Sequence, residues 1–261
     1  MSAELLWRLG TTAKLGWHDL QSNFPWRVDL STHMMRTVLQ ALFFTGIAAA
    51  ISGEEHIDFA YAGSVAYGTL TYTISMVGDI PMNDRWNSTF YRIRSGVLPV
   101  AVTYMIRAWP LLLRVLASNL AVIIITGFIF ARYGTMVQLL AFLPLYLLLA
   151  LTSLPFGLAL ASLGLFGKRG NDVIFSNLGM YFLMIFAGCL ILTDRLGALG
   201  EIGNVFPLYH GLEAIRSPNS EIWWTHVGLE ILIGITWTAI ATIAYTWATW
   251  RVRHTDNDKV T

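Results

Sequence analysis

The stretch VQLLAFLPLYLLLALTSLPFGLALASLGLF, residues 137–166, contains no charged side chain. It exceeds the about 20 apolar residues an α-helix needs to cross a bilayer, so it reads as membrane-embedded. Pro144 and Pro155 within it each remove a backbone hydrogen bond, and a kink is expected there. Outward from this segment, further apolar runs of spanning length lie at 32–51, 59–80, 109–131, 173–193 and 227–250. The fold class expected is therefore an all-α polytopic membrane protein with six transmembrane helices and both chain ends on one side. The composition agrees: of 261 residues, 55% are hydrophobic and 13% charged, with a mean hydropathy of +0.57. Soluble domains carry about 25% charged residues, so an ordinary soluble enzyme is excluded.

The charges give the orientation. Arg8, Lys14 and Arg27 precede the first span; Arg85, Arg92, Arg94 and Arg107 lie between the second and third; Lys168 and Arg169 follow the fourth; Arg251, Arg253 and Lys259 end the chain. The opposite loops hold Arg132, Arg195 and Arg216, and twelve cations against three place both termini in the cytoplasm. Glu54, Glu55 and Asp58 then form a solvated external loop. The first 31 residues lack an apolar run of signal-peptide length and read as retained. Within them Leu6, Leu9, Ala13, Trp17, Leu20 and Phe24 recur at helical spacing, which predicts an amphipathic helix lying on the cytoplasmic membrane face over 1–31. The spanning domain follows over 32–250 and a cytoplasmic tail over 251–261. Trp223, Trp224, Trp247 and Trp250 sit at the ends of the last span, where tryptophan anchors to the interface.

Most catalytic chemistry is missing from the sequence. The nearest approach to a phosphate loop, Gly164 to Arg169, has the wrong spacing and no hydroxyl after the lysine, so the chain has no ATPase motif of its own. The six histidines form no His-x-x-x-His pair, the single cysteine Cys189 can form no thiolate cluster, and no metal site is expected. A net charge of +1 without a basic run gives no reason to expect nucleic acid as a partner.

Three features remain as functional candidates. Ser64, Gly68, Thr71, Ser75 and Gly78 line one face of the second span, with Tyr72 beside them. Such a face serves close helix packing, or it lines a translocation route for an amphiphile. Arg36 and Arg114 lie inside apolar segments; they snorkel to the headgroups or hold an anionic group entering from the inner leaflet. The inside loop 81–107 reads as a short polar helix stopped by Gly96 and Pro99, and the external stretch 194–220 is apolar enough to dip back into the membrane as short re-entrant helices broken by glycines and Pro207.

The pattern resembles the permease subunits of ABC-2 type exporters. In that family a cytoplasmic loop after the second span carries a Glu-Arg-x-x-Gly-Thr-like stretch followed by Leu-Pro. Asp84-Arg85-Trp86-Asn87-Ser88-Thr89 and then Val97-Leu98-Pro99 are similar to it, with Asp84 for glutamate and Asn87 for glycine. The segment Pro207-Leu208-Tyr209-His210-Gly211-Leu212-Glu213-Ala214-Ile215-Arg216 is similar to the family's stretch before the last span. The resemblance implies a coupling element at Asp84, Arg85, Trp86, Ser88, Thr89, Arg92, Arg94, Leu98 and Pro99. It also implies two copies of a cytoplasmic ATPase that bind ATP and Mg, a second permease subunit, a lipid environment in the bacterial plasma membrane, and outward movement of a drug-like or lipid-linked amphiphile. The alternatives are a membrane enzyme of lipid or cell-wall synthesis, which lacks clustered intramembrane carboxylates here, and a self-sufficient transporter, for which no repeated halves are recognisable.

Overall fold

The computed structural model describes residues 3–53, 56–164 and 171–255, which are predominantly helical with no strand among them. The loop residues Glu54 and Glu55, the cations Lys168 and Arg169, and Lys259 in the tail lie outside the described residues. Helix α1 (Ala3–Asn23) ends at Asn23, short of the expected residue 31. Pro25 interrupts the chain there, and the next helix, α2 (Trp26–Ile51), starts at once.

Helix α3 (Ile57–Leu70) passes through a wider π-helical turn, Thr71–Met76, into α4 (Val77–Trp86). The segments α5 (Phe90–Arg94) and α6 (Val100–Arg107) lead to α7 (Trp109–Ile129), and α8 (Tyr133–Ala141) precedes α9 (Leu143–Gly164). After α10 (Asn171–Phe186), a 3₁₀ segment Thr193–Val205 leaves helical geometry at Gly197. Helices α11 (Tyr209–Arg216) and α12 (Trp223–Thr255) complete the described chain.

Among the described residues four helices are long and apolar enough to cross a membrane: Trp26–Ile51, Val100–Ile129, Leu143–Gly164 and Trp223–Arg251. The other two expected spans are not among them. The stretch 59–80 lies within an unbroken helical run from Ile57 to Trp86 that widens into the π-helical turn at Thr71–Met76, and 173–193 is helical only to Phe186 because the backbone turns at Gly188, φ +72°. The third span begins at Val100 rather than at 109, since Pro99 starts the helix and Arg107 is neutralised within it. Pro144 acts as a break: the chain leaves the helix at Phe142 and restarts with the proline in the new first turn, where its missing N–H costs nothing. Pro155 stays inside α9.

Helix α3 is the centre of the bundle, buried over nearly its whole length and packed on α2 and α7. Its small residues allow this approach, as in membrane helix packing generally. Helix α9 supports it from the other side and also packs on α10 and α12. Two cores result. The larger lies around Tyr61, Tyr67, Tyr146 and Leu212, and the second, around Tyr104, Leu111, Leu154 and Tyr245, sits where α4, α6 and α12 meet.

Candidate functional site

One end of the bundle is fastened by arginines. The guanidinium of Arg107 is 6% exposed; its Nη2 lies 2.6 Å from Asp19 Oδ2 on α1, and its Nη1 bonds Asp84 Oδ2 on α4. Asp84 also accepts a 2.8 Å bond from the Thr89 hydroxyl, and its carbonyl accepts the Thr89 N–H. Helix α1 approaches closely because position 16 is glycine: a Cβ there would stand 2.3 Å from the Arg107 carbonyl oxygen. Trp109 donates its indole N–H to the Ala13 carbonyl and stacks on Trp17 at 5.9 Å. A carboxylate pair around one buried arginine is costly to desolvate and costlier to break, so α1, α4 and α6 form one body.

On this body stands the expected coupling element. Helix α4 ends at Trp86, Ser88 takes a positive φ of 55°, and α5 follows. Phe90 and Ile93 of α5 pack inward on the second core. Trp86 and Tyr91, at 51% and 53% exposure, point outward with Arg92, whose Nε donates to the Tyr91 hydroxyl at 3.0 Å. Arg85 donates to the Gly164 carbonyl at 3.0 Å and ties α4 to the end of α9. Arg94, Leu98 and Pro99 line a pocket of about 240 Å³ against Thr242, Tyr245 and Thr246 of α12. A neighbouring groove of about 230 Å³ runs between Trp7, Thr11 and Thr12 of α1 and Ile93 and Val97. The element thus presents an aromatic and cationic face on a rigid base.

The expected path residues are mostly shut inside the helix packing. Ser64, Thr71 and Tyr72 are buried and Ser75 is half-buried. Gly68 lies against Thr37 of α2, where an added Cβ would stand 2.5 Å from Cγ2. Close packing is what this face does here. The exposed member is Arg36 on the outer side of α2. Arg114 is engaged: it lies 2.7 Å from the buried Asp29 as an ion pair, sits over Trp26 and donates to the Phe24 carbonyl. That occupancy makes it a fastener of the α1–α2 junction. A cleft of about 430 Å³ opens elsewhere, lined by Phe44, Ile51, His56, Phe59, Ile191 and Arg195.

The segment 207–216 lies at the opposite end of α3 from Asp84. Leu208 takes φ +82°, and α11 then begins with its free amides facing Glu230 of α12. The Glu230 side chain, fully buried, accepts the N–H of Leu208 and of Gly211, each at 3.0 Å, and the Thr152 hydroxyl at 2.5 Å. A carboxylate at a helix N-terminus satisfies donors that would otherwise be orphaned. At the other end of α11, Arg216 donates to the carbonyls of Gly188, Cys189 and Phe59 and lies over the Phe59 ring. Pro207 and His210 are buried, Tyr209 and Glu213 half-buried. Sequence reasoning singled out this segment but missed Glu230. A carboxylate inside a span of 227–250 was the signal available.

The described residues contain no group of three or more potential metal ligands. The family model of the ABC-2 type transporter matches residues 25–219, from the start of α2 to just beyond α11, and so takes in Arg107, Asp84 and the segment 207–216 but not α1 or Glu230. No curated protein matches the chain.

Proposed function

The chain belongs to the ABC-2 type transporter family, as a multi-pass membrane subunit of an ABC transporter, and from that premise we propose that it is the permease of an exporter driven by a separate cytoplasmic ATPase. In this reading two copies of the ATPase carry the ATP and Mg, a second permease subunit completes the pore, and the cargo is a drug-like or lipid-linked amphiphile moved outward. Both termini face the cytoplasm of a bacterial cell, six segments cross the plasma membrane, and 194–220 dips into the outer leaflet.

The observation that supports this most is the element from Asp84 to Pro99. A motor drives transport only by binding two conformations of the pore with different free energies, so it needs a handle that is exposed yet rigidly joined to the spans. Trp86, Tyr91 and Arg92 are exposed, while Asp84, Thr89 and Arg85 bind back into the bundle. The Ser64, Gly68, Thr71, Tyr72 and Ser75 face would meet cargo only in a state where α2 parts from α3. Arg36 is available to an anionic headgroup from the start.

Purification in mild detergent after light crosslinking tests the proposal. A soluble ATPase should accompany the protein and be lost when 85–99 is scrambled. Recovery without any ATPase would contradict it and turn attention to lipid-modifying turnover by this chain alone.

A further inference from the structure

Two histidines meet where α11 begins. His210 Nδ1 lies 3.1 Å from His226 Nδ1, with ring centroids 5.4 Å apart. His210 is buried at the second residue of α11; His226 is half-buried in the first turn of α12. One turn further along α12, Glu230 holds the amides of Leu208 and Gly211. The histidine pair and the carboxylate therefore grip the same end of one short helix.

A bond between two imidazole nitrogens exists only while one ring donates and the other accepts. A second proton makes both rings donors and sets two cations face to face with no acceptor between them. We propose that His210 and His226 form a proton-operated latch: at neutral pH their bond holds α11 on α12, and acid on that face of the membrane opens it and loosens 207–216.

The titratable groups around the pair can be named. Glu230 on α12 is committed to two amides and the Thr152 hydroxyl, Glu201 on the 3₁₀ segment binds the Asn204 side chain, Glu213 is half-buried three residues beyond His210 on α11, and the Tyr209 ring meets that of His210 edge-on at 5.0 Å. Leu149 and Thr152, where α9 meets α11 and Glu230, do not titrate in this range. Burial first, and then the neighbouring His226, hold His210 below the ordinary histidine range, against an opposing backbone bond to Asn204. The sign follows: the unfolded or released histidine takes a proton more readily than the latched one, so the latched state loses stability as pH falls below the ordinary histidine value. Arg216 at the far end of α11 binds the start of α3 and the end of α10, so loosening would reach both. That consequence for transport rests on the permease reading; the latch itself belongs to this chain.

Hydrogen exchange of the full chain in lipid nanodiscs, corrected for intrinsic rates, reads the latch between pH 7.5 and 5. The amides of 208–216 should lose about tenfold in protection for each unit below the histidine range, while α7 stays protected. His226→Gln, which keeps a polar partner but does not titrate, should flatten the pH dependence, leaving only the part that the burial of His210 supplies. Equal profiles in the two proteins, or unchanged protection at pH 5, would overturn the proposal. Should His226→Gln not fold, ¹⁵N-histidine spectra of the unaltered protein serve instead: two separated protonation steps support the latch, and one joint step contradicts it. ATPase recovery is measured apart from this, so either reading can fail alone.

Discussion

Asp19 of α1 binds Arg107 of α6 at 2.6 Å, and through that contact the N-terminal helix is held by the same guanidinium that holds Asp84. Movement applied to the exposed α5 therefore reaches α1 and the start of the span Val100–Ile129 together. The arrangement leaves Asp84 nearly buried beside a single arginine, so the penalty for losing that arginine is large.

Arg107→Ala should destabilise the protein by about 3–5 kcal/mol, the usual cost of orphaning a buried partner. Arg107→Lys should recover only part, because an ammonium cannot fork between Asp19 and Asp84 as a guanidinium does. Denaturant midpoints in detergent check both.

Two glycines on α1 separate docking from helix propensity. Gly10→Ala, with nothing within 4 Å of the new Cβ, should leave docking intact and stabilise the helix by about 0.5–1 kcal/mol. Gly16→Ala drives a methyl into the Arg107 backbone and should detach α1. A cysteine crosslink between positions 13 and 109, efficient with Gly10→Ala and weak with Gly16→Ala, would report this.

Tyr91→Ala with Arg92→Glu alters groups that touch only each other among the contacts described above. The thermal midpoint should stay within the scatter of surface substitutions, about 0.5 kcal/mol in stability, while ATPase binding falls at least about tenfold, as loss of an interface anchor does. Parallel melting and pull-down measurements decide it.

Glu230→Ala strands two amides and a hydroxyl at the start of α11 and should cost at least about 1–3 kcal/mol. Glu230→Gln keeps one acceptor and should lie between. Exposure of 207–216 to limited proteolysis should follow the same order.

How far the sequence carries the fold depends on which force acts at each point. The uncharged run 137–166 announces a bilayer helix because hydrocarbon admits little else, while its Pro144, expected to kink that helix, instead starts a new one at Leu143. The short helix in 81–107 is legible because its stops at Gly96 and Pro99 are local, whereas the inward packing of Phe90 and Ile93 is not, since a polar helix is expected there. The π-helical turn at Thr71–Met76 and the partners of Arg107 and Arg114 are not legible either, since Asp19 lies far from Arg107 along the chain. Arg114 read as a free intramembrane charge because Asp29 stood ahead of the expected span, and only the early start of α2 at Trp26 brings the two together. The histidines of the latch share no helical spacing and meet only through the turn between α11 and α12.

The most direct measurement of the central claim is a photo-crosslinker placed at Tyr91 in native membranes, followed by identification of what it captures. A soluble protein bearing an ATPase phosphate loop should be captured from position 91 and not from the exposed position 51 at the end of α2. Capture of lipid alone from position 91 would contradict the claim.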